Sequence, residues 1–234
     1  MAAQNQKSGS AARREQIAKA RAQQQRAERN RKIMLISLAT VLVLLVAGGI
    51  TLVVHNKNQK AATASPAATA KGTLAPVWSG LTGQTVDGVA ANTIEQLAYH
   101  IHAHLAIYVN GKAMSVPAGV GITTPWQTET EPDGSLWIDS GSHFYYLHTH
   151  TTDGIIHIES PTQTTYKLGQ FFAEWNQPLS ASQVGPSKGS VTTYVDGKKF
   201  TGDPSSITLA AHTVIQLDVG QDVPPASYTF AQGL

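Results

Sequence analysis

Cysteine is absent from the 234-residue chain. No blue-copper centre, iron–sulfur cluster, thiolate zinc site, thioether-linked haem or disulfide can therefore form, and there is no cysteine nucleophile. Of the three methionines, only Met114 lies beyond residue 34, which argues against a methionine-rich Cu(I) carrier. A glycine-rich phosphate loop is also missing, as is any Ser-His-Asp set that spacing would bring together.

Charge of either sign is missing from Ile33 to Val54, IMLISLATVLVLLVAGGITLVV. As a helix these residues span roughly 33 Å, which matches a bilayer core of about 30 Å. The length favours an uncleaved anchor over a secretory signal, although Ala62-Thr63-Ala64 and Ala68-Thr69-Ala70 have the form of cleavage sites. Residues 1–32 carry nine Lys or Arg against Glu15 and Glu28. The positive-inside rule then predicts a cytoplasmic amino terminus, a single transmembrane pass and an extracytoplasmic remainder. The leader RREQIAKARAQQQRAERNRK is made of good helix formers without an apolar face, and it reads as a topogenic tail touching anionic lipid. It lacks the interleaved aromatics of a nucleic-acid binder, so the membrane is the one partner the sequence names, and protein partners stay unspecified. Residues 55–76 are small and polar with two prolines, too poor in apolar surface to offset the entropy of ordering, and read as a flexible linker.

Residues 77–234 reverse the charge balance, with thirteen acids against Lys112, Lys167, Lys188, Lys198 and Lys199. Here the apolar pattern has the period of strands. In AYHIHAHLAIYV, Ile101, Ala103, Leu105, Ile107 and Val109 alternate with His100, His102, His104, Ala106 and Tyr108. Asn110-Gly111 then signals a type I′ hairpin, pairing 101–109 with about 112–117. In HFYYLHTHTTDGIIHIES, Phe144, Tyr146, His148 and His150 share a face, and after Asp153-Gly154 the returning strand carries Ile155, His157 and Glu159 on one side. A two-residue turn at Asp153-Gly154 sets His150 opposite His157; a four-residue loop, 151–154, sets His148 opposite His157; both keep the histidines and Glu159 on one face. TTYVDGKKF at 192–200 is a third hairpin and echoes AIYVNGKAM at 106–114, as a duplication or as ordinary hairpin grammar. Leu168, Phe171, Phe172 and Trp175 form the stripe of a short core helix, and 207–220 supplies one or two more strands. The expected fold is mainly β, an antiparallel sandwich or open barrel with one short packed helix, preceded by the transmembrane helix.

A half-buried sheet needs no histidine on its polar face, since Thr, Lys or Glu would serve. Repeated imidazole at alternate positions on two strands points instead to metal ligation. Residues i and i+2 on a strand lie about 6.6 Å apart and can share an ion, whereas i and i+4 cannot easily do so. The best facial set is therefore His148, His150 and His157, with Glu159 as a further ligand or as a carboxylate orienting one ring. His100, His102 and His104 supply the other side of the same site or a second ion nearby. Imidazole with a carboxylate suits zinc or copper, and the acidic surface concentrates cations. His212, within AAHTVIQL, reads as a core or edge histidine, His143 as a loop residue near the site, and His55 carries no assigned chemistry. Glu129, Glu131 and Asp133 read as a solvated acidic turn.

The segments EQLAYHIHAHLAIYVNGK, YLHTHTTDGIIHIESP and LGQFFAEWNQPLS resemble a group of uncharacterised bacterial envelope proteins with the same succession of histidine strands and helix. The resemblance covers about residues 80–234 and implies one outer domain; it transfers no catalytic residue. Three functions compete: an anchored extracytoplasmic metal-binding protein, a metal-dependent enzyme that activates water at an open coordination position beside Tyr146 and Glu159, and a non-metal envelope module whose histidine face switches near pH 6.5.

Overall fold

The computed structural model describes residues 72–131 and 134–234. The basic tail, the apolar span 33–54 and the linker up to residue 71 lie outside these residues. Among the described residues no helix is long and apolar enough to cross a membrane.

The described residues are mainly β with one short α-helix. Its elements are β1 (Ala91–Asn92), β2 (Tyr99–Val109), β3 (Lys112–Met114), β4 (Gln127–Thr130), β5 (Leu136–Ser140), β6 (Phe144–Tyr145), β7 (Leu147–His148), β8 (Ile155–Ser160) and α1 (Leu168–Glu174). After the helix come β9 (Leu179–Ser180), β10 (Gln183–Val184), β11 (Ser187–Lys188), β12 (Val191–Val195), β13 (Lys198–Phe200) and β14 (Val214–Val219). The largest sheet has the order β13-β12-β14-β2-β8-β7, with β3 also paired to β2. β1 pairs β6, β4 pairs β5, and β9, β10 and β11 form a small sheet of their own.

Two hairpins follow from their turn residues. Asn110 and Gly111 adopt φ of 49° and 76°, and Asp196 and Gly197 adopt 50° and 73°. Such paired positive angles make the type I′ turn whose twist matches the strands on either side. β2 accordingly returns as β3 and β12 as β13. The expected, mostly antiparallel arrangement is interrupted at β14. β14 is antiparallel to β12 and lies parallel to β2, from Val214 opposite His104 to Val219 opposite Val109. Chain direction alone does not reveal this, because the two strands are joined through most of the fold rather than by a turn.

β2 is the longest strand and is covered on both faces. Ala103, Leu105 and Ile107 enter the main core, while on the other side His102, His104 and Tyr108 are buried as well. The polar face is thus an interior surface rather than the solvated side of a half-buried sheet. α1 lays Leu168, Phe171, Phe172 and Trp175 into the main core, as the i, i+3, i+4, i+7 spacing requires. Its first turn is closed by the Gln170 side chain, whose Oε1 accepts from the Lys167 N–H. The Trp175 indole N–H donates to the Pro76 carbonyl at 2.9 Å. Leu74 and Ala75 are also buried, and the Leu74 N–H donates to the Ser115 carbonyl. The packed part therefore begins a few residues before Val77, because Trp175 and the β3 end offer that segment partners that its composition does not announce.

Candidate metal centre

Three adjacent strands of the large sheet carry the site. β8 lies between β2 and β7, and His157 stands directly opposite His102 on one side and His148 on the other. His100 stands opposite Glu159. The register is the one in which His148, not His150, faces His157. Its cause is non-local: beyond His148 the chain leaves β8 and bonds elsewhere, Thr149 to Gly119 and Val120, and the His150 carbonyl to the Ile138 N–H. Asp153 caps the return by accepting from the Ile155 N–H. Gly154 alone takes a positive φ, 84°, so Asp153-Gly154 does not form the two-residue turn.

The side chains converge. Ligand atoms of His148, His150, His157 and Glu159 all lie within 4.8 Å of one another, and so do those of His100, His102 and His157. His148 Nε2 is 3.1 Å from His150 Nε2. His102 Nε2 is 2.9 Å from His100 Nε2 and 3.2 Å from His157 Nδ1. Glu159 Oε1 lies 3.0 Å from His100 Nε2, 3.5 Å from His157 Nδ1 and 3.8 Å from His148 Nε2. Its Oε2 is buried without a hydrogen-bond partner. Apart from His100, whose side chain is 27% exposed, these groups are almost wholly enclosed.

The tautomers of two rings are fixed by their surroundings. His148 Nδ1 lies 2.9 Å from the Tyr145 carbonyl, and His150 Nδ1 bonds the Ile138 carbonyl. A carbonyl oxygen only accepts, so each Nδ1 carries the proton and donates it. In the neutral rings both Nε2 atoms then present lone pairs, facing one another. This is the arrangement in which metal-bound histidines are held, with the far nitrogen tied to a carbonyl.

Burial keeps the rings neutral. It pushes His148 down to about 4 against the pull of Glu159, and pushes His150 well below its ordinary value with help from His157 and His148. His102 is lowered to about 2, by burial first and then by His157 and His100. Burial works in the other direction on Glu159, but contacts with His148, His100 and His157 outweigh it, and its carboxyl is held well below the usual range. A carboxylate set among imidazoles is a donor set suited to a divalent cation.

The candidates do not all arrive at this place. His104 belongs to neither set: its ring stacks on Tyr228, centroids 3.7 Å apart, and burial lowers it to about 4. His143 pairs with Thr123 through its backbone N–H and its ring. His212 is exposed on a turn at φ 61°, and its ring stacks on Phe230. Val214, Ile215 and Leu217 after it belong to β14, which begins two positions later. Tyr146 packs against the main core. Two residues at the site carried no signal in the sequence. Glu95, from the segment before β2, brings Oε1 to 3.6 Å from His150 Nε2. Trp137 of β5 stacks on His150, centroids 4.4 Å apart and nearly coplanar at 5°. Neither belongs to a histidine strand, and Trp137 is set against the site beside the backbone bond from Ile138 to His150, just beyond β7. Comparison of the chain with protein-family models, with curated proteins and with solved structures gave no match.

Proposed function

We propose that this is a membrane-anchored metal-binding protein whose β-sandwich domain lies outside the cell membrane and holds zinc or copper(II) through His148, His150, His157 and Glu159. One observation carries the reading: His148 and His150 each commit Nδ1 to a main-chain carbonyl and turn Nε2 towards the other at 3.1 Å. Two opposed lone pairs in a buried site repel, and an ion between them turns that repulsion into two bonds. Nitrogens bound to one ion at about 2.0–2.1 Å with a tetrahedral angle lie about 3.3 Å apart, close to the spacing seen here. The uncharged run at 33–54 behind a basic leader supports the anchor and its direction.

The test is elemental analysis of the full chain purified in detergent, followed by calorimetry with Zn(II) and Cu(II) after chelation. The expected result is close to stoichiometric retention of one of these metals and tight rebinding. A chain that comes out metal-free and takes up neither ion would end the reading.

A further inference from the structure

The donors form two sets rather than one. His100, His102 and His157 close on one another from the β2 side, and His148, His150, His157 and Glu159 from the β7 side; at a limit of 4.8 Å the sets meet at His157 without merging. Ligands on opposite sides of a single ion, at bonds of about 2.1 Å, stand no more than about 4.2 Å apart. The donors taken together therefore exceed the reach of one ion.

We infer that the centre binds two divalent transition-metal ions side by side, one between β2 and β8 held by His100 and His102, the other between β8 and β7 held by His148 and His150, with His157 and Glu159 on the middle strand within reach of both. The inference rests on the metal-binding reading and extends it.

The sheet explains why two places exist. Neighbouring strands are spaced about 4.8 Å apart, so a row of ligands across three strands offers one gap on each side of the middle strand. That row is His102, His157 and His148, in register. β2 adds a second imidazole two residues before His102, the segment just after β7 adds one two residues past His148, and each added ring turns inward: His100 Nε2 closes to 2.9 Å from His102 Nε2, and His150 Nε2 to 3.1 Å from His148 Nε2. The two pairs are alike in spacing, although they come from opposite edges of β8. Glu159 faces both, with Oε1 3.0 Å from His100 Nε2 and 3.8 Å from His148 Nε2. Its second oxygen is buried and has no hydrogen-bond partner, which is costly for a carboxylate unless a cation takes it. One carboxylate between two cations lowers their mutual repulsion, and Glu95, 3.6 Å from His150 Nε2, brings further negative charge to the β7 side.

The experiment uses the full chain in detergent. Loaded with excess Zn(II) and desalted, it should retain two ions per chain, and the double variant His100→Gln/His102→Gln should retain one, with unchanged far-ultraviolet circular dichroism. A measurement on the unaltered chain does not depend on the variant folding. At two Cu(II) per chain, ions at the spacing of two-metal sites, about 3.5–4 Å, couple magnetically, and the electron paramagnetic resonance intensity should fall well below the copper content. One ion per chain, the same in the double variant, overturns the second ion and leaves the metal-binding reading standing. Two Cu(II) per chain with full, uncoupled intensity overturns the shared arrangement. No bound ion overturns both.

Discussion

At the scale of single residues the site separates donors placed to hold a cation from groups that merely sit nearby. His150 is one of the two rings whose protons are committed to carbonyls. A ligand present at about 100 times its dissociation constant stabilises a fold by about 2.7 kcal/mol, or roughly 5–10 °C in a domain of this size. Zn(II) should raise the melting temperature of the unaltered chain by that order, and His150→Ala should abolish most of the rise, as thermal denaturation with and without metal would reveal. Glu174 makes a different prediction. It is wholly buried in α1 with neither oxygen hydrogen-bonded, and burial pushes its carboxyl well above its ordinary value of 4.5. The folded chain keeps a proton that the unfolded chain releases as pH rises past that value, so the stability tied to the proton is full in acid and drains away towards the raised folded value. The melting-temperature advantage of Glu174→Gln over the parent should therefore grow as the pH is raised above about 5. An advantage that stays flat across the range would mean the carboxyl ionises alike in both states.

Elements place the ligands, and here sequence patterns reach only so far. The hairpins at Asn110-Gly111 and Asp196-Gly197, the core stripe of α1 and the common face of His148, His150, His157 and Glu159 follow from local periodicity and turn chemistry. The register of β7 against β8 does not, because contacts of Thr149 and His150 with residues some 12 to 30 positions away decide it. Glu95 and Trp137 were invisible for the same reason: their positions depend on packing between segments. Gly121 is where this dependence can be probed. It has φ of 71°, and a Cβ built there would lie 2.1 Å from the Leu147 carbonyl oxygen, against the strand that carries His148. Gly121→Ala should cost well over the roughly 1–2 kcal/mol of the left-handed conformation and weaken metal binding without touching a ligand. Gly197→Ala has φ of 73° and nothing within 4 Å; it should cost only the conformational part. Equal melting temperatures and metal affinities for the two variants would argue against control of the site by the backbone at Gly121.

For the molecule as a whole, the charge division is the feature legible from the sequence: a leader rich in Lys and Arg, an uncharged run, then an acidic β region. If the leader is inside and the β region outside, a protease added to intact cells, with the wall opened, should cut within 55–71 and release the histidine region while a tag at residue 1 survives. Protection of both ends would count against this orientation.

β2 draws its frame from the far end of the chain. The His102 carbonyl accepts from the His212 N–H at 2.7 Å, the His104 N–H donates to the Thr213 carbonyl, and β14 runs beside the second half of β2. A ribosome that has made every histidine of the two sets still has more than fifty residues to add before those bonds can form. Such long-range closure is slow to assemble, so the β2 donors reach this arrangement only in a chain synthesised through to β14.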